Sequence, residues 1–139
     1  MSVDSAGMAA RLGIKPGMVV QELGWDEDAD EDLRDAVVEA SGGEMVDEDT
    51  DEVADVVLLW WREDDGDLFD ALTDALASLA DDGVVWLLVP KSGRPGHVEP
   101  SDVTEVAPTA GLSQTTSVSA AKDWSGIRLV TPKAARSRR

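Results

Sequence analysis

Two stretches of the chain are apolar at every position, and an amphipathic stretch lies between them. The apolar runs are residues 56–61 and 84–89, whereas residues 67–80 place four leucines on one face and aspartates on the other. A strand that is covered by helices on both faces is apolar throughout. We therefore expect two central strands and, between them, a helix that Gly83 ends, which is the spacing of a parallel crossover unit.

Shorter patterns extend this predicted sheet towards the N-terminus. Residues 18–23 predict a first strand, and residues 26–40 predict a helix with one apolar stripe and acidic first turns. Residues 44–46 predict a brief strand, which leads into the acidic loop 47–52. The order of these elements indicates an α/β fold.

The C-terminal third predicts a helix and a hairpin. Residues 101–110 indicate a helix that Ser101 caps and Pro108 interrupts. Residues 114–120 and 127–130 predict two final strands. Because these strands are close together in the chain, we expect them to pair in an antiparallel hairpin.

These patterns divide the chain into one domain and two short ends. We expect a single α/β domain over residues 12–132, a flexible N-terminus over residues 1–11 and a basic, disordered tail over residues 133–139. No apolar run approaches the roughly 20 residues of a membrane helix. Residues 1–10 also lack the basic and apolar pattern of a secretory signal. We expect a cytoplasmic protein without membrane contact.

The charge of the chain is concentrated in one half. The net charge is −17, and 24 of the 29 acidic residues lie between residues 22 and 82, with only two arginines. Such a surface repels phosphate backbones, so we expect no nucleic-acid binding. The acidic stretch 26–35 leaves open an interaction with a basic protein surface.

Several kinds of reactive site are excluded by composition. The chain has no cysteine, so it lacks thiolate metal sites and cysteine nucleophiles. It has one histidine, and Ser92, Ser101 and Ser117 have no Gly-x-Ser-x-Gly context, so we expect no serine hydrolysis. Residues 26–30 and 47–51 resemble the start of a calcium loop. However, Glu31 and Glu52 stand where that loop requires glycine. We expect no metal site and no bound cofactor.

Ligands of open α/β sheets bind beyond the carboxyl ends of the strands, which directs attention to four loops. They begin at Gly24, Asp47, Arg62 and Pro90. Gly24 follows the first strand, and Asp47 lies 23 residues later, near the spacing of an acid that binds a ribose. Trp25 and Trp61 stand at strand exits, where an indole can line a pocket. We therefore list Gly24, Trp25, Asp47 and Trp61 as candidates.

The loop after the second apolar run concentrates positive charge. It contains Lys91, Arg94 and His97, the only histidine of the chain. Cationic side chains in a loop beyond a buried strand bind anionic groups. These three residues predict contact with a small anionic ligand or with a protein partner.

Three segments resemble Rossmann-like methyltransferases. Residues 12–24 resemble their first strand and loop, residues 79–90 a later strand, and residues 110–112 the end of the helix that follows. The resemblance implies a three-layer, mostly parallel sheet with a C-terminal antiparallel hairpin. Those enzymes continue with a Gly-x-Gly loop that holds adenosylmethionine, whereas this chain has Trp25-Asp26.

The chain is also similar to small actinobacterial proteins grouped as domain of unknown function 3052. The matching segments are residues 17–26 (GMVVQELGWD), 59–62 (LWWR), 93–102 (GRPGHVEPSD) and 119–125 (SAAKDWS). This resemblance implies a shared fold but supplies no activity. We favour a non-catalytic binding or regulatory protein on a degenerate methyltransferase-like scaffold. Two alternatives are a divergent enzyme that binds adenosylmethionine or a nucleotide, and an acidic module that binds another protein.

Overall fold

The computed structural model describes residues 10–50 and 52–131. The N-terminal segment 1–9 and the predicted basic tail, 133–139, lie outside the described residues. The strands are β1 (Val20–Leu23), β2 (Ala54–Trp60), β3 (Leu79–Pro90), β4 (Ser113–Ser119) and β5 (Trp124–Val130). The helices are α1 (Glu31–Ser41), α2 (Leu68–Leu76) and α3 (Pro100–Thr109). No helix in the described ranges is long and apolar enough to cross a membrane.

The five described strands form one mixed sheet in the order β1-β2-β3-β5-β4. β1, β2 and β3 run parallel, and Leu58 of β2 lies opposite Trp86 of β3. β5 is antiparallel to both β3 and β4. The prediction that the two apolar runs are adjacent central strands is confirmed, and so is the C-terminal antiparallel hairpin.

Both faces of the sheet are covered, which is why β2 and β3 are apolar throughout. One face, with Leu58, Trp60 and Trp86, packs against α1. The opposite face, with Leu59 and Leu87, packs against α2 and α3. The protein therefore has the three-layer, Rossmann-like architecture that the sequence predicts.

Helices α1 and α2 begin where an aspartate caps them. Asp30 Oδ1 accepts a hydrogen bond from Leu33 N over 2.9 Å, and Asp67 Oδ1 accepts one from Phe69 N over the same distance. Such caps satisfy amide groups that have no partner inside the helix. Because Asp30 is the cap, α1 begins five residues later than residue 26, where the sequence predicts it.

Other boundaries differ from the predictions. α2 ends at Leu76 instead of residue 80, because Leu79 already pairs with Ala54 in the sheet. Residues 44–46 form no strand, and only a single bridge joins Val46 to Gln21. α3 begins at Pro100, and its cap residue Glu99 makes no side-chain bond, so Ser101 is not the cap.

Candidate functional site

A cleft of about 780 Å³ opens where β1 and β2 end. Its walls come from β1 with the loop after it, from the end of β2 with the loop after it, and from α2 and the turn that follows that helix. The cleft therefore lies at the carboxyl ends of parallel strands, where ligands of open α/β sheets bind. Gly24, Trp25 and Trp61 of the predicted candidates line it.

Gly24 passes very close to the end of β2. Its φ is 76°, and a Cβ atom added there would lie 2.3 Å from the carbonyl oxygen of Trp60. A side chain is thus excluded by both the backbone conformation and the contact. The glycine that lets a nucleotide-binding loop approach its ligand serves here to pack the loop against the protein itself.

Arg62 holds this loop in place. Its Nη1 donates to Gly24 O over 2.8 Å and to Asp65 Oδ2 over 3.1 Å, and its Nε donates to Asp28 Oδ2 over 3.0 Å. The guanidinium also lies 5.2 Å from the ring centre of Trp124. Arg62 therefore ties the loop after β1 to the loop after β2 and to β5.

These ion pairs shift two pKa values. The hydrogen bond from Arg62 lowers the pKa of Asp28, although burial acts in the opposite direction. Burial acts to lower the pKa of Arg62, but the bonds to Asp28 and Asp65 outweigh it and raise that pKa. Asp28 and Arg62 therefore remain charged over the physiological range.

A second ion pair fixes the end of β1. Glu22 accepts two hydrogen bonds from Arg34, of 2.6 and 2.7 Å, and Glu22 Oε2 also accepts one of 2.9 Å from Trp60 Nε1. The pair with Glu22 raises the pKa of Arg34. The carboxylate of Glu22 lines the cleft, but its oxygens are occupied by protein donors.

The two predicted indoles differ in exposure. Trp25 is 49% exposed, and its ring is held by Arg34, whose guanidinium carbon lies 5.4 Å from the ring centre. Trp61 is buried, and its backbone N–H donates to Leu88 O over 2.8 Å. Both therefore form fixed aromatic parts of the cleft wall.

Asp47 does not line the cleft. Its Oδ1 accepts from Asp49 N over 3.0 Å, and its carbonyl oxygen accepts from Gln21 Nε2 over 3.0 Å. Glu48 lines the cleft in its place. The ribose role of Asp47 stays a prediction.

The three cationic candidates lie at the same end of the sheet but not in this cleft. Lys91 Nζ donates to Ser119 Oγ over 2.6 Å, and Arg94 Nη2 lies 3.4 Å from Asp123 Oδ2. His97 Nδ1 donates to Pro90 O over 2.9 Å, since a carbonyl oxygen only accepts.

Arg94 instead lines a smaller pocket of about 180 Å³, together with Asp28 and Trp124. The loop that contains Lys91 nevertheless approaches the loop after β1, because Pro90 and Arg94 line this pocket together with Asp28. The seven candidates therefore share one end of the sheet but not one pocket.

Comparison with known proteins places the chain in a family. A family model described as "Protein of unknown function (DUF3052)" matches residues 9–133. The chain belongs to this family. Uncharacterized proteins of Mycobacterium tuberculosis and Mycobacterium bovis are 56% identical to it over 135 residues, covering 97% of this chain and 85% of theirs.

Solved structures relate the fold of this DUF3052 protein to methyltransferases. A SAM-dependent methyltransferase from Aquifex aeolicus has a TM-score of 0.62 at 14% identity, covering 91% of this chain and 88% of that one. The pyocyanin biosynthetic protein PhzM has a TM-score of 0.64 at 15% identity, covering 92% of this chain. The chain spans about half (54%) of the length of PhzM. At these identities the likeness shows a shared fold.

Sequence reasoning missed two residues of the site. The sequence marks Arg62 only as the start of the loop after residues 56–61 and not as a candidate residue. Gln21 is 3% exposed and lines the cleft, and its Oε1 has no hydrogen-bond partner among the described residues. A polar residue inside the apolar run of β1 is the signal that would have identified Gln21.

Proposed function

We propose that this DUF3052 protein is a non-catalytic ligand-binding protein on a methyltransferase-like scaffold, and that the cleft between β1, β2 and α2 is its binding site. The observation that carries the proposal is the bond from Arg62 Nη1 to Gly24 O. In Rossmann-type folds the glycine loop after the first strand brings its backbone close to the cofactor, whereas here the Gly24 backbone lies against Trp60 O. In this chain that loop is bound by the protein instead.

The start of α1 supports the same proposal. A helix N-terminus attracts anions such as phosphate. Here Asp30 caps the helix, and Glu31 and Asp32 occupy its first turn. These carboxylates take the place that an anionic cofactor group would need, which favours a ligand held by the walls of the cleft.

The side chains of the cleft suit recognition. Carboxylates, three tryptophans, the Gln21 carboxamide and Ser78 line it, and its volume is within the range of about 300–1,000 Å³ for small-molecule sites. The only histidine of the chain, His97, is outside the lining. We therefore favour binding over group transfer.

A fragment screen by ligand-observed NMR tests the proposal. The library contains neutral, anionic and cationic fragments, and each hit is measured again with Ala77→Trp. Ala77 is exposed at the end of α2 and lines the cleft, so an indole there fills the space. Thr109→Trp, exposed on α3, is the matched control.

We expect hits that Ala77→Trp abolishes and Thr109→Trp preserves, together with no methyl transfer from adenosylmethionine. If no hit responds to Ala77→Trp, the cleft is not a binding site. Methyl transfer that Ala77→Trp stops would show an enzyme instead.

The likeness to SAM-dependent methyltransferases favours one second candidate, a divergent enzyme that binds adenosylmethionine. Calorimetry with adenosylmethionine separates the two. Micromolar binding that Ala77→Trp removes and Thr109→Trp preserves, with transfer of the methyl group, would support the enzyme. Absence of heat would count against it.

A further inference from the structure

The lining of the cleft carries more negative than positive charge. It contains five carboxylates and one guanidinium, those of Glu22, Asp26, Glu48, Asp65, Asp74 and Arg62. Arg34 neutralises Glu22, and Arg62 is paired with Asp65. Asp26, Glu48 and Asp74 have no ion-pair partner within the described ranges. The cleft therefore favours a positively charged ligand and repels an anion.

Gln21 gives an independent reason to expect a ligand that donates a hydrogen bond. Its side chain is almost fully buried, and the bond from Nε2 to Asp47 O fixes which end of the carboxamide is the oxygen. Oε1 is then a buried acceptor without a partner among the described residues. Buried acceptors without partners are rare and destabilising, so a ligand N–H that reaches this oxygen would be favourable.

The indoles fit the same chemistry. Trp25 and Trp61 line the cleft, and the Trp25 ring already lies beside the cation of Arg34. The face of an indole attracts ammonium groups. A ligand that combines positive charge with N–H donors would use all three features of the lining.

We infer that the cleft binds an organic amine in its ammonium form, with the charge near Glu48 and Asp74 and an N–H group directed to Gln21 Oε1. This inference rests on the proposed function and adds the chemical class of the ligand. It concerns a different site from the small anionic ligand that Lys91, Arg94 and His97 predict, because those cations lie outside the lining of the cleft, and that ligand stays a prediction.

Calorimetry with three probes that share one ring tests the charge. Tryptamine carries an ammonium, tryptophol a hydroxyl and indole-3-acetate a carboxylate on the same indole. Spermidine is added as an aliphatic amine. Comparing it with tryptamine shows whether the cleft binds an ammonium group carried by an aromatic ligand, by an aliphatic chain, or by both. We expect one or both amines to bind and indole-3-acetate not to bind. The affinity should also fall as the ionic strength rises, because the carboxylates are exposed.

Substitutions of Glu48 and Asp74, the two exposed carboxylates that we call the rim of the cleft, locate the site. The double variant Glu48→Gln and Asp74→Asn removes two exposed charges and is expected to weaken amine binding about tenfold, the combined effect of two exposed ion pairs. The matched control, Asp35→Asn with Glu39→Gln, changes two exposed carboxylates of α1 outside the cleft and should preserve most of the affinity. Gln21→Leu is expected to weaken binding as well, and its folding is checked by circular dichroism.

The outcomes separate this inference from the proposed function. If neutral or anionic fragments bind in a manner that Ala77→Trp abolishes while both amines fail, the proposed function stands and the inference is overturned. Equal loss of affinity in the rim variant and its control would also overturn it. If no probe and no fragment responds to Ala77→Trp, both are overturned.

Discussion

Arg62 and Gly24 are 38 residues apart in the chain, and the Arg62 guanidinium donates a 2.8 Å hydrogen bond to the Gly24 carbonyl oxygen. The same guanidinium binds Asp28 and Asp65 and covers the ring of Trp124. One side chain therefore holds in position the loop after β1, which lines the cleft. The stability of that end of the sheet should depend strongly on it.

Arg62→Ala is expected to lower the free energy of unfolding by about 1–3 kcal/mol, because it removes charge-assisted hydrogen bonds and the contact with Trp124. Urea denaturation followed by tryptophan fluorescence measures the loss. Arg94→Ala is the control, since its pair with Asp123 is exposed and should contribute no more than about 1 kcal/mol. Similar losses in the two variants would contradict a central role for Arg62.

Gly24→Ala should be more destabilising than Gly93→Ala. Both glycines have positive φ, 76° and 85°, so both variants strain the backbone by about 1–2 kcal/mol. Only at Gly24 does the new Cβ meet a neighbour, Trp60 O at 2.3 Å, whereas nothing lies within 4 Å at Gly93. We expect thermal unfolding to show a further loss of about 1–3 kcal/mol at Gly24, as in other overpacked sites. Equal midpoints would disprove the close contact.

The Asp28–Arg62 pair makes stability depend on pH in the acid range. Because the pKa of Asp28 is lower in the folded protein, its ion pair with Arg62 contributes to stability above about pH 4, the ordinary pKa of an aspartate. This contribution is lost as the pH falls through the pKa that Asp28 has in the folded protein. Asp28→Asn should therefore be less stable than the wild type by about 0.5–1 kcal/mol at pH 7. The expected loss is small because the Asp28 side chain is half-exposed, and water screens its ion pair. The difference should shrink as the pH falls below about 4 and disappear once Asp28 is protonated in the folded protein as well.

Denaturant titrations of both proteins between pH 2 and pH 7 measure this difference. Asp35→Asn, an exposed residue of α1, is the control. A difference between Asp28→Asn and wild type that stays constant across this range would refute the assigned pair.

Glu22→Gln should destabilise the junction of β1 with α1. It removes the charge that binds Arg34, while the amide oxygen still accepts from Trp60 Nε1. Because the Glu22 side chain is only 9% exposed, we expect a loss of about 2–3 kcal/mol, near the lower limit for buried pairs. Chemical denaturation measures it, and Glu39→Gln, exposed on the same helix, should show almost no loss.

Burial made the centre of the fold predictable from the sequence. β2 and β3 are covered on both faces, and this leaves an unmistakable apolar run. The border between α2 and β3 was not predictable in the same way. Leu79 continues the leucine spacing of the helix, yet it pairs with Ala54, because an apolar residue at that position fits either element.

The site was only partly predictable. Gly24, Trp25 and Trp61 were found because their positions at strand ends are visible in the sequence. Gly24 and Asp28, which bind Arg62, and Ser119, which binds Lys91, are far away in the chain, so local patterns do not show these contacts. Three-dimensional contacts decide which charges remain available to a ligand.

The order of the strands also constrains how the chain acquires its shape during synthesis. β4 leaves the ribosome before β5, but among the described strands it pairs only with β5, which separates it from β3. The open edge of β3 therefore stays without a partner until residues 124–130 have emerged, and β4 waits for the same segment. The nascent protein should complete its sheet only after residues 124–130 have been synthesised, and exposed edges of this kind are where incomplete chains associate.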